Sequence, residues 1–452
     1  MNRRDFLKLS AILAGAVALN ACGEFQDGDE DILIVGAGIA GLSAAQTLKK
    51  WGYRVTILEA RSRVGGRIFT SREWQDAPLD LGASWIHGVS GNPIAELAKE
   101  NGIKTVETDY DNHWIYKANG DELTNTEYNA FEEYEGLIEE YIAEAIEELD
   151  DDISLKSLVE SVFREEELSA EEKKIFLYLL NSVVEHEYAA DISEFSVFAF
   201  NEGEEFGGED VIFPQGYDQI IDILSAGLDI RLNEVVTRVD YGDSGVRIQT
   251  NTATYESDRA LITVPLGVLQ RGDIQFSPTL PADKQDAINS LGMGLLDKLY
   301  LRFPNIFWDK GADMLGYLGD KTGEWAEWLN IAHYTDEPIL LGFNAGSFAR
   351  TVENWTDEQI VESAMSVLRD IYGSNIPDPL DWQITRWAKD PFSWGAYSFL
   401  KPGTSGKTLK TLAQPVDGKL FFAGEATSND YQATVHGAYL SGIRAAEEIW
   451  DA

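Results

Sequence analysis

The first strongly patterned stretch of the chain runs from Asp31 to Glu59. Asp31–Val35 is a short apolar run typical of a buried strand, and Tyr53–Leu58 has the same character. Between them, Ile39–Trp51 places small and apolar residues on one helical face, and Gly52 ends the helix. The pattern therefore predicts a complete strand–helix–strand unit.

Three glycines occupy the predicted turn between the first strand and the helix, at GxGxxG spacing: Gly36, Gly38 and Gly41. Glycines there let the backbone approach a pyrophosphate, whose charge the helix N-terminus stabilises. Glu59, at the end of the second strand, is placed to accept a hydrogen bond from a ribose hydroxyl. These features in this order indicate a dinucleotide site rather than a glycine-rich turn without a ligand.

The residues after Glu59 bear on which dinucleotide is bound. Ala60–Arg67 reads ARSRVGGR, which resembles the RxGGR extension of flavin-dependent amine oxidases and their relatives, where the arginine meets the diphosphate. A guanidinium suits phosphate oxygens because it can bind them in a bidentate manner. Arg67 alone could be a solvated surface arginine, but the two preceding glycines argue against that. This segment favours FAD over NAD.

Alternation of apolar and polar positions predicts strands from Asp229 to Val264 and another at Gly294–Phe303. In the second, Leu296, Lys298 and Tyr300 share one face. A lysine there is either an edge residue with a solvated ammonium or a buried group, which shifts toward its neutral form and is often catalytic. The residues alone leave both open.

Two other segments carry candidate chemistry. Asp80–Gly88 reads DLGASWIHG, and its small residues would let the backbone pass close to a flat ligand. His87 could face a substrate cavity or be a hydrogen-bonded structural histidine, and the residues do not decide between these. By contrast, the glutamate-rich helical pattern from Thr126 to Lys174 is interpreted as solvated surface helices.

The composition limits the classes of partner. The 452 residues are enough for two or three domains, and the formal charge of −41 argues against nucleic acid binding. The charge suits a cationic partner, although solubility or a salty environment explains it as well. The five histidines are scattered without ligand spacing, so we expect no metal site.

The N-terminus has the features of a targeting segment. Asn2–Lys8 reads NRRDFLK and resembles a twin-arginine export signal, and Leu9–Leu19 is an apolar run too short to span a bilayer. Leu19–Cys22 then resembles a bacterial lipoprotein cleavage box, with the only cysteine of the chain at its end. We therefore expect export by the twin-arginine route, and a periplasmic or lipid-anchored protein in a bacterium.

From about Asp31 to the C-terminus, the chain resembles the flavin-containing amine oxidases, most closely the polyamine oxidases. The likeness is strongest at Asp31–Ile68, Asp80–Gly88, Leu228–Phe303 and Arg386–Ala446. It implies an α/β fold of mixed helices and sheets, in which a Rossmann-type FAD-binding domain is interleaved with a substrate-binding domain.

The resemblance also implies domain boundaries. After a signal at 1–22 and a linker at 23–30, the FAD-binding domain would comprise 31–110, 207–290 and 415–452. The substrate-binding domain would comprise 111–206 and 291–414.

Site residues follow from the resemblance position by position. Lys298 matches the lysine that holds a water beside flavin N5, His87 a histidine at the cavity mouth, and Tyr397 one aromatic wall of the catalytic site. Glu187 and Glu205 are candidates for binding distal ammonium groups. The implied FAD contacts are Gly36, Gly38, Ile39, Ala40, Gly41, Glu59, Ala60, Arg61, Gly66, Arg67, Gly82, Ala83, Ser84, Trp85, Val236, Trp387, Gly424, Glu425, Thr434 and Val435.

Two departures from the family pattern matter. Monoamine oxidases attach FAD to a cysteine where this chain has Ala396, so the FAD is expected to be non-covalent. Thr434 stands where many amine oxidases have a second aromatic ring, which argues against narrow monoamine selectivity.

The implied reaction is hydride transfer from the α-carbon of a neutral amine to flavin N5. The imine hydrolyses to an aldehyde and an amine, and dioxygen is reduced to hydrogen peroxide. Three alternatives stay open. The first is an oxidase of L-amino acids or of other primary amines with the same fold; an L-amino acid would need a cationic clamp for its carboxylate. The others are a flavin-dependent desaturase or isomerase, and a lipid-anchored protein that keeps FAD only structurally.

Overall fold

The computed structural model describes residues 30–452. The predicted export signal, Cys22 and nearly all of the predicted linker lie outside the described residues. Within them, no helix combines the length and apolar character needed to cross a membrane.

The strands begin and end as follows: β1 (Asp31–Val35), β2 (Arg54–Glu59), β3 (Thr70–Ser71), β4 (Leu79–Asp80), β5 (Trp85–Ile86), β6 (Val106–Thr108), β7 (His113–Lys117), β8 (Asp210–Ile212), β9 (Asp229–Leu232), β10 (Val236–Gly242), β11 (Gly245–Thr250), β12 (Thr254–Ser257), β13 (Arg259–Ile262), β14 (Gln275–Ser277), β15 (Gly292–Met293), β16 (Leu296–Arg302), β17 (Met314–Leu318), β18 (Glu327–Asn330), β19 (Ile339–Ala345), β20 (Asp381–Ile384), β21 (Ser398–Phe399) and β22 (Leu420–Phe422).

The α-helices are α1 (Ile39–Lys50), α2 (Pro93–Glu100), α3 (Asn125–Glu148), α4 (Leu155–Glu165), α5 (Ala170–Leu180), α6 (His186–Tyr188), α7 (Asp218–Ser225), α8 (Leu266–Arg271), α9 (Ala282–Ser290), α10 (Ile331–Thr335), α11 (Gly346–Val352), α12 (Asp357–Tyr372), α13 (Gly406–Ala413) and α14 (Val435–Asp451). A π-helical turn, Asn181–Glu185, joins α5 to α6.

A five-stranded sheet in the order β22-β13-β1-β2-β9 carries the predicted strand–helix–strand unit, and all its pairings are parallel. Strand β1 lies at its centre, and Ile32–Val35 are buried because both faces of a parallel sheet are covered. Helices α1 and α14 pack against each other along this unit, where small residues let their backbones approach: a Cβ added to Gly442 would lie 2.2 Å from the Ala40 carbonyl oxygen.

A six-stranded sheet in the order β20-β16-β19-β18-β17-β7 forms the second layer. Its pairings are antiparallel except for β17 with β7. Leu299 and Leu301 of β16 pack into a core shared with helix α12, while Tyr300 packs with Trp74 and Leu79 on the opposite side. Successive residues of a strand face opposite ways, so Lys298 belongs to the side of Tyr300.

Helices α3, α4 and α5 bury one face each in a core around Ile138, Val162 and Phe176. Two of them begin with a reciprocal capping box, Thr124 with Glu127 and Ser169 with Glu172, which satisfies amides that the first helical turn leaves without partners. Most glutamates of α3 are exposed or half-buried, as the pattern predicted.

The mixed α/β architecture predicted from the sequence is confirmed. The strands of the parallel sheet fall within 31–59, 229–262 and 420–422, and those of the six-stranded sheet within 113–117 and 296–384. The exact domain boundaries stay a prediction.

Candidate active site

A cavity of about 600 Å³ is lined by residues of both the parallel sheet and the six-stranded sheet. It brings together most of the site residues predicted from the sequence. Those lining it are Gly36, Gly38, Ile39, Ala40, Glu59, Ala60, Arg61, Gly66, Arg67, Gly82, Ala83, Ser84, Trp85, His87, Glu187, Val236, Lys298, Trp387, Tyr397, Gly424, Glu425, Thr434 and Val435.

Gly41 and Glu205 are not among the lining residues. A Cβ at Gly41 would lie 2.1 Å from the Gly36 carbonyl oxygen, so this glycine lets helix α1 pack onto the turn rather than facing a ligand. Glu205 is exposed in the segment before β8. The resemblance implied a cofactor contact for Gly41 and a substrate contact for Glu205, whereas neither residue lies on the cavity wall.

The glycine turn at the start of α1 is built to approach a ligand closely. Gly36 has a φ of +108°, which favours glycine, and a Cβ there would lie 2.7 Å from the Thr263 hydroxyl. Gly38, the residue preceding the helix, has open space where a side chain would start, and no side chain caps the first amides of α1. Such an uncapped N-terminus at a cavity suits a phosphate group.

Glu59 is buried and accepts hydrogen bonds from two backbone amides. Its Oε2 accepts from Ala37 at 2.7 Å and its Oε1 from Arg61 at 2.8 Å. A carboxylate has further lone pairs, so Glu59 can still accept from a ribose hydroxyl. It therefore holds the turn in shape while it faces the cavity.

Arg67 connects three segments of the cavity wall. Its Nη1 donates to the Ala396 carbonyl at 2.7 Å and to Glu425 Oε1 at 2.9 Å. The other oxygen of Glu425 accepts from the Ser398 hydroxyl at 2.7 Å. The predicted diphosphate arginine is thus oriented by the chain itself, which limits the conformational freedom lost when it contacts a ligand.

Lys298 on β16 is buried, with 5% of its surface exposed. Its ammonium donates to the Asp80 carbonyl at 2.8 Å, the Gly82 carbonyl at 2.6 Å and the Ser84 hydroxyl at 2.5 Å, and it lies 5.9 Å from the centroid of a Trp85 ring. The structure therefore decides the question that the sequence left open, in favour of the buried lysine.

Burial lowers the pKa of Lys298 to about 8, although the charge of Asp80 acts to raise it. Burial also raises the pKa of Asp80 to about 6, against the opposing effects of the Thr70 hydroxyl, the Tyr217 amide and the Lys298 charge. A lysine with a pKa near neutrality in a cavity can exchange a proton with a ligand or orient a water molecule.

His87 lies at the end of β5 with 42% of its side chain exposed, and its Nδ1 is 3.0 Å from Asp210 Oδ2. Burial lowers the pKa of His87, but the charge and hydrogen bond of Asp210, together with Glu187 and Glu205, more than offset it and raise the pKa to about 9. The carboxylate of Asp210 therefore favours the protonated form of the ring. Although Glu205 does not line the cavity, its negative charge contributes to the raised pKa of His87.

Two further predicted residues shape the wall. Tyr397 donates its hydroxyl to the His186 carbonyl at 2.9 Å, which fixes the ring. Trp387 donates its indole N–H to the Leu81 carbonyl at 3.2 Å, and its backbone amide to Asp297 Oδ1 at 3.1 Å. These rings are held by hydrogen bonds as well as by packing.

Sequence reasoning missed several ionisable residues that also line this cavity, among them His186 and Glu327. Glu327 stands between Trp325 and Trp328 in an apolar strand, the same signal that drew attention to Lys298. His186 follows a run of apolar helical residues and carried no local signal. Among residues 30–452, no group of three or more histidine, cysteine, aspartate or glutamate side chains could hold a metal ion.

Comparison with known proteins finds a family model that covers most of the chain. The family model "Flavin containing amine oxidoreductase" matches residues 39–450. The chain is 35% identical over 442 residues to "Lysine-specific histone demethylase 1 homolog 1" of Oryza sativa subsp. japonica, covering 92% of this chain and 52% of the relative. It is 35% identical over 434 residues to "Polyamine oxidase 2" of Arabidopsis thaliana, covering 92% and 87%.

The chain thus spans about half the length of the relatives named as lysine-specific histone demethylases. Among solved structures, a putrescine oxidase redesigned in its cofactor binding has a TM-score of 0.76 at 21% identity, covering 94% of this chain and 99% of that chain. This likeness supports the fold.

Proposed function

This chain belongs to the flavin-containing amine oxidoreductase family, and within it we propose an FAD-dependent oxidase of polyamines of the spermine or spermidine type. The amine would be oxidised to an imine that hydrolyses to an aldehyde and an amine, with dioxygen reduced to hydrogen peroxide. The observation that carries the proposal is Lys298, a buried ammonium in the cavity that the dinucleotide turn also lines.

The residues present fit an FAD. The uncapped amides of α1 and the open side of Gly38 suit its diphosphate, and the remaining lone pairs of Glu59 suit its ribose. Bound flavin would supply the acceptor for the hydride that leaves the amine. Ala396 lines the cavity without a nucleophilic atom, which supports non-covalent binding.

The surroundings of the cavity support a polycationic substrate. Glu187 lines the cavity, Glu205 lies close enough for its charge to act on His87, and Glu327 adds a buried carboxylate. Carboxylates in a partly desolvated site attract an ammonium more strongly than exposed ones do. Their negative charges would attract the distal ammonium groups while the reacting nitrogen is neutral.

An L-amino acid substrate is a weaker candidate because the cavity arginines already have partners. Arg61 makes a bidentate pair with Asp390, at 2.7 and 2.8 Å, and Arg67 pairs with Glu425. A substrate carboxylate would have to compete with these ion pairs.

A second candidate is a peptide carrying methylated lysine. Relatives named as lysine-specific histone demethylases match this chain as closely in identity as the polyamine oxidase does. Such a substrate also presents an amine to the flavin, so the candidate belongs in the same experiment.

We also propose export by the twin-arginine route with a lipid anchor at Cys22, on the residues of the N-terminal segment alone.

The test is peroxide release by the purified flavoprotein with spermine, spermidine, putrescine, monoamines, amino acids and a methyllysine peptide. We expect spermine or spermidine to give the highest kcat/KM, and this advantage to shrink with added salt, because screening weakens attraction beyond about 8 Å. A monoamine or a neutral amino acid as the better substrate, with no salt effect, would show that the polyamine assignment is wrong. Preference for the peptide would favour the second candidate.

A further inference from the structure

The cavity contains a buried histidine–glutamate pair with one unused ring nitrogen. His186 Nδ1 lies 2.5 Å from Glu327 Oε2, and the Ser182 hydroxyl hydrogen-bonds to Glu327 Oε1. His186 is 6% exposed and Glu327 is 1% exposed. The remaining nitrogen, His186 Nε2, is buried and has no hydrogen-bond partner among residues 30–452. Leaving a buried polar atom without a partner costs about 1–3 kcal/mol. A ligand that hydrogen-bonds to this nitrogen would therefore gain binding free energy.

A π-helical turn places the pair. Asn181–Glu185 is π-helical between α5 and α6, and π-turns are often found at functional sites. Ser182 and His186 are separated by one turn, so both can reach the same carboxylate of β18. The three side chains therefore form one preorganised unit.

The six-stranded sheet places this unit in one row with Lys298. Lys298 of β16 is paired directly with Phe343 of β19, and Phe343 is paired directly with Glu327 of β18. Directly paired residues point to the same face, and all three line the cavity. Two strand spacings separate Lys298 from Glu327, about 10 Å between backbones.

The surface between the two ends of this row is apolar. In the strand pairing, Phe343 lies between Lys298 and Glu327. The His186 ring packs against the Phe343 ring, with the two ring centroids 6.3 Å apart. A chain of methylene groups could lie along this ring while polar groups at its ends meet Lys298 and His186.

We propose that His186, oriented by Glu327, binds the second nitrogen of a diamine or polyamine whose first nitrogen is oxidised near Lys298. In the tautomer whose Nδ1–H donates to Glu327, Nε2 carries a lone pair that can accept a hydrogen bond from an ammonium. The Glu327 carboxylate supplies the complementary charge without contacting the substrate. The assignment rests on the proposed amine oxidation. It adds a residue pair that would select substrates by the distance between their two nitrogens.

Selection against monoamines follows from this arrangement. A substrate with a methyl group in place of the second ammonium would leave His186 Nε2 buried without a partner, and sites of this kind reject such analogues strongly. The sharpest comparison is 1,4-diaminobutane against 1-aminopentane, which has the same number of heavy atoms but lacks the second nitrogen.

The experiment compares two site variants with one control. His186→Phe removes both ring nitrogens. Glu327→Gln keeps the volume, but it removes the charge and replaces one of the two acceptor oxygens by an amide donor. His333→Phe is the control, because His333 lies 3.6 Å from Asp313 in a histidine–carboxylate pair that is exposed at the histidine and does not line the cavity. We expect both site variants to lower the kcat/KM ratio of diamine to monoamine at least tenfold, mainly through KM, and the control to leave it unchanged.

Calorimetric titration of dithionite-reduced enzyme with 1,4-diaminobutane measures binding without turnover and should show weakening in the same two variants. An unchanged ratio and unchanged binding in both would overturn the inference, while polyamine oxidation by the wild type would still support the proposed function. If the wild type oxidises no amine, the proposed function itself fails. If His186→Phe does not fold, Glu327→Gln decides.

Discussion

Replacing Lys298 by methionine should separate the stability of the fold from the activity of the site. The ammonium donates to Asp80, Gly82 and Ser84. In the variant the Asp80 carbonyl keeps the Tyr300 hydroxyl as a donor at 2.9 Å, whereas the described residues offer the Gly82 carbonyl no second donor. A fully buried carbonyl without a partner costs about 1–3 kcal/mol, and the Gly82 carbonyl is only partly buried, so this range is an upper bound.

The charge of Lys298 has the opposite effect on stability. Burial lowers its pKa from 10.5 to about 8, which corresponds to about 3 kcal/mol of destabilisation while the lysine is charged. Because the folded pKa lies below the unfolded one, the unfolded state binds more protons between pH 8 and 10.5, and this contribution makes stability rise with pH. Methionine removes the penalty, so the two effects nearly cancel at pH 7.

The assay is equilibrium urea unfolding of the apoprotein at pH 8 and pH 10, together with peroxide release by the flavoprotein. We expect the free energy of unfolding of the wild type, relative to Lys298→Met, to increase by about 2 kcal/mol over this range. Turnover should fall about 100-fold or more, with flavin absorbance retained, because a group that positions water or moves protons contributes on this scale.

Lys284 provides a matched control outside the cavity. It is 2% exposed, donates to the carbonyls of Thr411 and Leu412, and burial lowers its pKa to about 7. Lys284→Met should also change how stability depends on pH, but it should leave turnover unchanged. The free energy of unfolding of the wild type minus that of Lys298→Met should differ between pH 8 and pH 10. An equal difference at both pH values would refute the conclusion that the ammonium is buried in its charged form. Near-normal turnover in Lys298→Met would exclude the lysine from the reaction.

Three other predictions concern the cofactor, the cavity mouth and the N-terminus. Acid precipitation should release all yellow colour into the supernatant, since Ala396 offers no attachment atom; colour in the pellet would reveal a covalent bond. Asp210→Asn should lower the pKa of His87 from about 9 toward its ordinary value. The change of kcat/KM for spermine near pH 9 should then move to lower pH. If it does not move, Asp210 does not stabilise the protonated form of His87. Cys22→Ala should release the protein from the membrane fraction, and an unchanged distribution would mean that the cleavage box is fortuitous.

Local patterns in the sequence were enough to predict the strand–helix–strand unit of the parallel sheet. Strand β1 begins and ends where the apolar run Asp31–Val35 predicts, and α1 begins directly after Gly38. These features depend on residues close in the chain, whose periodicity and turn chemistry are readable without long-range contacts. The family resemblance supplied the positions of most lining residues in the same way.

Only the tertiary structure decided the state of the ionisable groups. Lys298 is buried because its ammonium reaches a segment more than 200 positions earlier in the chain, and His186 meets Glu327 across 141 positions. The tertiary structure also left Glu205 at the surface. Whether a charge is solvated, paired or desolvated depends on which remote segments enclose it, and no local pattern records that.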